Sequence, residues 1–320
     1  MIMGMLIKFM SMQKWQKKPK KSAVLVTGGG GFIGSHLVWA LLKNGYRVFS
    51  VDNYAATGGV LLPERKHPHA RYITCDIRDA DKLTRTIARI QPSIKDPVTY
   101  CEVNSIGTLN VLLAAKSAKT KRVVYSASSS AYGKNKIPFS EAMKPDPLNP
   151  YAKTKLDGEQ WMRIFAELYG IETVSLRYFN VYGKGNVYNG PYTTVITKFF
   201  HRLLHGKLME IVGDGKQTRD YTNVADVVAA NIRAALSTKV GRGEVINIGC
   251  GKCYSILTIA ELIGGEPVKD LVKHKKAAFV AAWPGESRDT MADIKLAKHF
   301  LNWSPSISLP EGIRVLSGRG

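Results

Sequence analysis

The sequence predicts an α/β protein, a doubly wound parallel sheet followed by a smaller C-terminal lobe. Three observations predict it. Short apolar runs alternate with helix-length segments, the βαβ rhythm of a parallel sheet. The first run, Ala23-Val-Leu-Val-Thr27, is apolar almost throughout, as suits a strand covered on both faces. Beyond Asn180 the rhythm loosens into loops rich in Gly, Asn and Tyr with shorter helices, as suits a separate lobe. The expected organisation is a basic flexible extension over 1–21, the sheet domain over 22–179 and the lobe over 180–320.

The elements follow in order. A helix is predicted from about Phe32 to Asn44, where Gly45 stops it. The second strand is predicted at 46–52 and the third at 71–76. A helix near 80–90 precedes an unusual stretch, and a second helix occupies 97–117. A strand at 121–127, a long helix from about Pro150 to Tyr169 and a strand at 171–179 close the domain. In the lobe, helices are predicted at 194–205, 224–237, 255–263 and 293–300.

Composition narrows the classes. At 320 residues with 45% hydrophobic side chains, the chain can bury a substantial core. No apolar run reaches the roughly eighteen residues of a membrane span. The N-terminus is Met-rich and then Lys-rich, unlike a secretory signal or a transit peptide. The four cysteines, Cys75, Cys101, Cys250 and Cys253, are few and irregular, which suggests a reducing, cytoplasmic setting. Cys250-Gly-Lys-Cys253 lacks a second pair of ligands, so no metal is expected. The formal charge of +21 and pI near 9.8 suit an anionic small-molecule substrate. Lys and Arg are dispersed and no basic helix interleaved with aromatics stands out, so no nucleic-acid partner is expected.

Thr27-Gly-Gly-Gly-Gly-Phe-Ile-Gly34 follows the first strand and opens the first helix. Gly28, Gly31 and Gly34 permit a tight turn, close approach of backbone to a pyrophosphate, and close helix–strand packing. The helix start, with Phe32 and Ile33, turns N–H groups and the positive end of its dipole toward the phosphates. Asp52 ends the second strand, with Asn53 beside it. A carboxylate there accepts a ribose diol and repels a 2′-phosphate, so the reading is a Rossmann-type domain for NAD.

Tyr151-Ala-Lys-Thr-Lys155 sets Tyr and Lys one turn apart on a helical face. A neighbouring ammonium and a cationic nicotinamide ring favour the phenolate, making Tyr151 a base for a sugar hydroxyl. Such a pair alone is commonplace on solvated helices. It gains meaning here from the dinucleotide fingerprint and from Ser128-Ser-Ser-Ala-Tyr-Gly133 ahead of it.

The segments TGGGGFIG, SSSAYG, YAKTK, RYFNVYG and GDGKQTRDY together resemble the extended short-chain dehydrogenases that act on nucleotide sugars. The resemblance runs from about Ser22 to Leu316. It implies bound NAD, a lobe for a UDP- or dTDP-sugar, and a homodimer formed through helices near 104–118 and 151–168. It implies Ser128, Tyr151 and Lys155 as catalytic residues, Tyr151 and Lys155 also touching the cofactor. Dehydratases of this kind follow their hydroxyl with Asp and Glu. Ser129 and Ser130 stand here instead and cannot carry out an elimination. The implied reaction is 4-epimerisation of a UDP-hexose through a 4-keto stage, as in the conversion of UDP-galactose to UDP-glucose. The alternatives are a UDP-glucuronate 4-epimerase or related enzyme, or a catalytically impaired relative that binds NAD and nucleotide sugar.

Further positions follow from the resemblance one by one. Asp76 and Ile77 match an adenine-contacting pair, and Asn104 an Asn near the cofactor. Tyr178 matches a nicotinamide-side Tyr and Asn180 a diphosphate contact. Ser128 and Ser129 lie beside the sugar, Val195 and Lys198 where the uridine is held, and Arg219 matches a diphosphate clamp. Glu286 and Thr290 fall in the last substrate segment, Thr290 where room beside carbon two is set. Trp283 replaces an Arg usual in such chains, with Arg288 nearby. One stretch departs more seriously. Between Ile90 and Asp96-Pro97 the chain lacks about a dozen residues, among them an expected fourth strand of about five residues. That omission predicts weak NAD binding.

Overall fold

The computed structural model describes residues 23–54, 67–77, 90–186, 194–281 and 287–318. The basic extension, the helix expected near 80–90, Trp283 and Glu286 lie outside them. The chain divides into two compact units at Cys75/Asp76. The boundary expected near 179 falls inside the second.

The first unit holds β1 (Ala23–Thr27), α1 (Phe32–Lys43), β2 (Arg47–Asp52) and β3 (Ala70–Thr74). The strands form a parallel sheet in the order β1-β2-β3, with Val24 opposite Val48 and Val51 opposite Ile73. Helix α1 buries Val38, Ala40, Leu41 and Leu42.

The second unit opens with α2 (Ile90–Lys95), α3 (Pro97–Tyr100), a π-helical stretch at Cys101–Ile106, and α4 (Gly107–Ser117). The expected helix at 97–117 is thus interrupted by a wider turn. Such π turns are rare and gather at functional sites. Then come β4 (Arg122–Ser128), a 3₁₀ turn (Ser129–Tyr132), α5 (Pro150–Tyr169) and β5 (Glu172–Tyr178). Next in the same unit come β6 (Val181–Tyr182), α6 (Val195–Leu204), β7 (Met209–Val212), β8 (Thr218–Asp220), β9 (Thr222–Asn223) and α7 (Val224–Leu236). It continues through β10 (Arg242–Ile248), β11 (Cys253–Ser255), α8 (Ile256–Gly264), α9 (Val268–Lys273), β12 (Ala277–Val280), α10 (Lys295–Leu301) and α11 (Leu309–Leu316).

The main sheet of this unit is parallel, in the order β10-β5-β4. β10, much later in the chain, pairs with the other edge of β5, so β5 is central and almost wholly buried. Among the described residues the chain between β3 and β4 contains helices and no strand.

Helix α5 carries the Tyr-Lys face and is sharply bounded. Pro150 fixes its first turn, and the Asn149 side chain accepts from the Ala152 N–H at 2.9 Å. That cap contributes about 1 kcal/mol. Gly170, at φ +66°, ends it in the left-handed conformation. Met162 and Phe165 pack with Leu112 of α4 and Ile171, each worth about 2 kcal/mol of burial.

Candidate active site

The glycine loop lies in the first unit. Gly28 has φ +67°, and an added Cβ at Gly34 would lie 2.0 Å from the Gly28 carbonyl oxygen. Only glycine fits so tight a turn. Gly31 is the N-cap of α1 and offers no side chain to the first N–H groups, where Phe32 and Ile33 sit. A helix start left uncapped in a glycine cradle is a built anion site. The Asp52 carboxylate steadies it, accepting the Gly30 N–H at 2.8 Å and the Tyr54 N–H at 2.7 Å. A carboxylate has about four lone-pair positions, so capacity remains for a ribose diol. Asn53 follows, half-buried. These residues fit a dinucleotide.

The residues expected to handle protons lie in the second unit. Ser128 ends β4 and is 8% exposed. Its oxygen accepts the Ser130 N–H at 3.2 Å and the Ser130 hydroxyl at 2.9 Å. With both lone pairs engaged, its own proton is left to be donated. Ser130 is therefore the orienter of Ser128, a role its sequence context did not reveal. Ser129 opens the turn beside it, half-buried.

Helix α5 meets this strand end directly. Lys155 Nζ donates to the Ser126 carbonyl at 3.0 Å and lies 5.2 Å from the Tyr125 ring centroid. The Tyr125 hydroxyl reaches back to the Lys155 carbonyl at 3.5 Å, and Gly158 leaves room for it. Burial pushes the Lys155 ammonium down to about 8, and the Glu159 carboxylate pulls it back upward. Burial drives the Tyr125 phenol far upward, with the neighbouring Tyr151 adding to the effect, so Tyr125 stays neutral. Tyr151 is half-buried and its ring stands edge-on to Tyr100, centroids 6.4 Å apart. Its N–H donates to the buried Ser93 hydroxyl at 3.1 Å. Asn104, on the π turn, donates to Thr154 on α5 at 3.0 Å. Ser105 donates to Asp157 at 3.2 Å. The short stretch before β4 thus sets the first turns of α5.

Asp76 is 2% exposed, and the Ile77 carbonyl accepts from Asn110 at 3.0 Å. The Tyr178 hydroxyl is engaged by Ser126 at 3.1 Å and donates to Asn231 at 2.9 Å. In the lobe, Asn180 donates to the Asp220 carbonyl at 3.2 Å and reaches the Thr290 hydroxyl at 3.5 Å. Arg219 donates to the carbonyls of Thr218 and Arg288 at 2.9 and 2.8 Å. The Arg288 guanidinium pairs with Asp214 at 2.8 Å. Val195 and Lys198 occupy the first turn of α6.

Asp220 escaped the sequence reading. Its carboxylate is fully buried and accepts N–H groups from Cys250 at 2.7 Å, Gly251 at 2.9 Å and Ala292 at 3.1 Å. Burial still raises it to about 6. It ties β8, and so Arg219, to the segment that carries Thr290.

Residues 24–249 match the NAD dependent epimerase/dehydratase family. A putative UDP-glucose 4-epimerase of Methanocaldococcus jannaschii is 35% identical over 91% of this chain and 96% of its own. Two solved structures superpose closely. A UDP-N-acetylglucosamine 4-epimerase of Methanobrevibacter ruminantium gives TM-score 0.83 at 32% identity, covering 94% of this chain and 99% of that one. A UDP-glucuronic acid 4-epimerase of Bacillus cereus, solved with UDP-glucuronic acid and NAD, gives 0.81 at 32%, covering 93% and 98%.

Proposed function

The chain belongs to the NAD dependent epimerase/dehydratase family, an NAD-using enzyme family with a Rossmann-type sheet, and on that premise we propose that it inverts carbon four of a UDP-hexose. The observation that supports this reading best is the serine turn against α5. Ser128 has a proton to give, Lys155 stands one strand residue pair away on the Ser126 carbonyl, and neither Ser129 nor Ser130 can act in an elimination.

Bound NAD supplies a hydride acceptor and then a hydride donor. Tyr151, as phenolate, takes the proton of the 4-hydroxyl while Lys155 holds the charge. Ser128 donates to the same oxygen and keeps it in place through the 4-keto stage. Once the 4-keto sugar has turned over to present its other face, Tyr151 gives the proton back to the same oxygen. Asn180, Arg219, Val195, Lys198, Glu286 and Thr290 hold the UDP-sugar in the lobe over 180–320, and the cofactor belongs to 22–179.

UDP-glucose and UDP-galactose are the favoured pair, which would place the enzyme in galactose metabolism. A homodimer is part of the same reading. Ile106, just before α4, and Leu113, on it, are 48% exposed, and Leu168 on α5 is 70% exposed. A cytoplasmic site fits the four free cysteines. Among the described residues no helix is long and apolar enough to cross a membrane.

The test is a panel of UDP-glucose, UDP-galactose, UDP-N-acetylglucosamine and UDP-glucuronate followed by proton NMR. Appearance of the C4 epimer, reduced about a thousandfold in Tyr151→Phe at the NAD content of the wild-type chain, is expected. Near-normal turnover by Tyr151→Phe would remove the catalytic assignment.

A further inference from the structure

Glu159 and Arg177 form a charged pair inside the second unit. Arg177 Nε and Nη2 donate to the two Glu159 carboxylate oxygens at 2.8 and 2.7 Å. Both side chains are 4% exposed. Such a pair contributes little net stability, because desolvating two ions offsets their attraction. Its placement is more informative. Glu159 lies on α5 one helical turn beyond Lys155, so it is the nearest carboxylate along that face. Arg177 lies on β5 directly before Tyr178. Its guanidinium sits 4.5 Å from the ring centroid of Tyr132, the last residue of the serine turn.

Tyr132 is fixed in turn. Its hydroxyl donates to Asn247 at 2.7 Å, and Asn247 donates to the Phe139 carbonyl at 2.9 Å. One buried chain of contacts therefore runs from the helix of Tyr151 and Lys155 to the turn of Ser128. We propose that Glu159 and Arg177 are positioning residues for the epimerisation, locking α5 against the serine turn and keeping Lys155 cationic.

The charges support it. The Glu159 carboxylate acts on two cations, the half-buried Lys155 and the buried Arg177. Burial opposes the Arg177 charge, and Glu159 and then Tyr132 more than restore it. Other groups acting on the cluster are Tyr125 from β4, Tyr132 from the turn, Glu141 beyond it, and Tyr151 and Asp157 on α5 itself. The Tyr125 and Tyr132 phenols are raised by burial, and so is the Glu141 carboxyl. Glu159 is the partner that raises Lys155. Without its charge Lys155 keeps only the neutral Ser126 carbonyl, and the ammonium is lost at lower pH.

This rests on the epimerase reading, so the test separates the two. The Lys155 titration is followed by NMR of ¹³C-labelled lysine Cε in the full chain, with Lys155→Arg assigning the signal. In Glu159→Gln the midpoint should fall by about one pH unit, a tenfold loss of ammonium above it. The alkaline limb of kcat should move by the same amount, with KM for the accepted UDP-sugar within about twofold of wild type. Glu159→Gln/Arg177→Gln, which removes both ends of the pair, should keep the lowered midpoint, because Lys155 still lacks its carboxylate. Should Glu159→Gln fail to fold, Glu159→Asp answers instead: the charge stays and the midpoint holds, but the two-point grip is lost and kcat falls about tenfold. An unmoved midpoint in Glu159→Gln, or wild-type kcat in Glu159→Asp, would overturn the proposal. A shifted midpoint in a protein that turns over no UDP-sugar would leave the pair standing and remove the epimerase reading.

Discussion

Lys155 Nζ donates to the main-chain carbonyl of Ser126, 3.0 Å away, and so is anchored to the strand that ends in Ser128. Lys155 is half-buried, its ammonium is held by one neutral acceptor, and burial lowers it from 10.5 to about 8.

Activity should therefore have an alkaline limb near pH 8, as Lys155 loses the charge that favours the Tyr151 phenolate. Stability should move the other way. The folded-state pKa lies below the unfolded one, so the unfolded chain binds the extra proton between about 8 and 10.5, and this group raises stability as pH increases through that window. Lys155→Met should abolish turnover and flatten that rise. A kcat that stays level to pH 10 would contradict the assignment.

Gly34→Ala should damage NAD binding far more than Gly31→Ala. The new Cβ would lie 2.0 Å from the Gly28 carbonyl oxygen in the first case and 3.2 Å in the second. Backbone has to move at Gly34. Isothermal titration with NAD should show a loss of about tenfold or more for Gly34→Ala and a clearly smaller one for Gly31→Ala.

Thr290→Tyr tests the room beside carbon two. The Thr290 hydroxyl accepts from the Asp220 N–H at 3.3 Å and lies 3.5 Å from Asn180 Nδ2, so it is anchored by lobe residues. We expect the wild-type chain to epimerise UDP-N-acetylglucosamine as well as UDP-glucose. In Thr290→Tyr the first activity should disappear and the second survive. Equal loss of both would mean the residue sets no such limit.

The chain as it stands should retain NAD weakly. A parallel sheet needs partners for the backbone groups of its interior strands, and 90–106 is helical where a strand is expected. Inserting an apolar strand and turn after Ile90 should raise both the NAD content of the purified protein, read by absorbance after release, and its turnover. Stoichiometric NAD on the unmodified chain would mean that another segment closes the sheet.

Local signals in the chain were readable because local physics sets them. The limits of α5 follow from Asn149-Pro150 and Gly170, and the tight loop from glycines that no other residue can replace. The Glu159–Arg177 pair was not readable. A Glu on an exposed-looking helix and an Arg at a strand end both pass for solvated charges until the fold brings them together. The role of Ser130 needed the geometry of the turn. Asp220 stood in a segment read for its arginine, and its three donors are distant in sequence. The π turn at Cys101–Ile106 has no periodic signature beyond that of an ordinary helix.

Asp220 also bears on the order in which the protein can be made. Its N–H donors at Cys250 and Gly251 follow it by 30 and 31 residues, and the one at Ala292 by 72. A carboxylate cannot enter the interior before its partners exist. During synthesis the Asp220 carboxylate therefore keeps its water until Cys250 and Gly251 have emerged, and it gains its third donor only with Ala292.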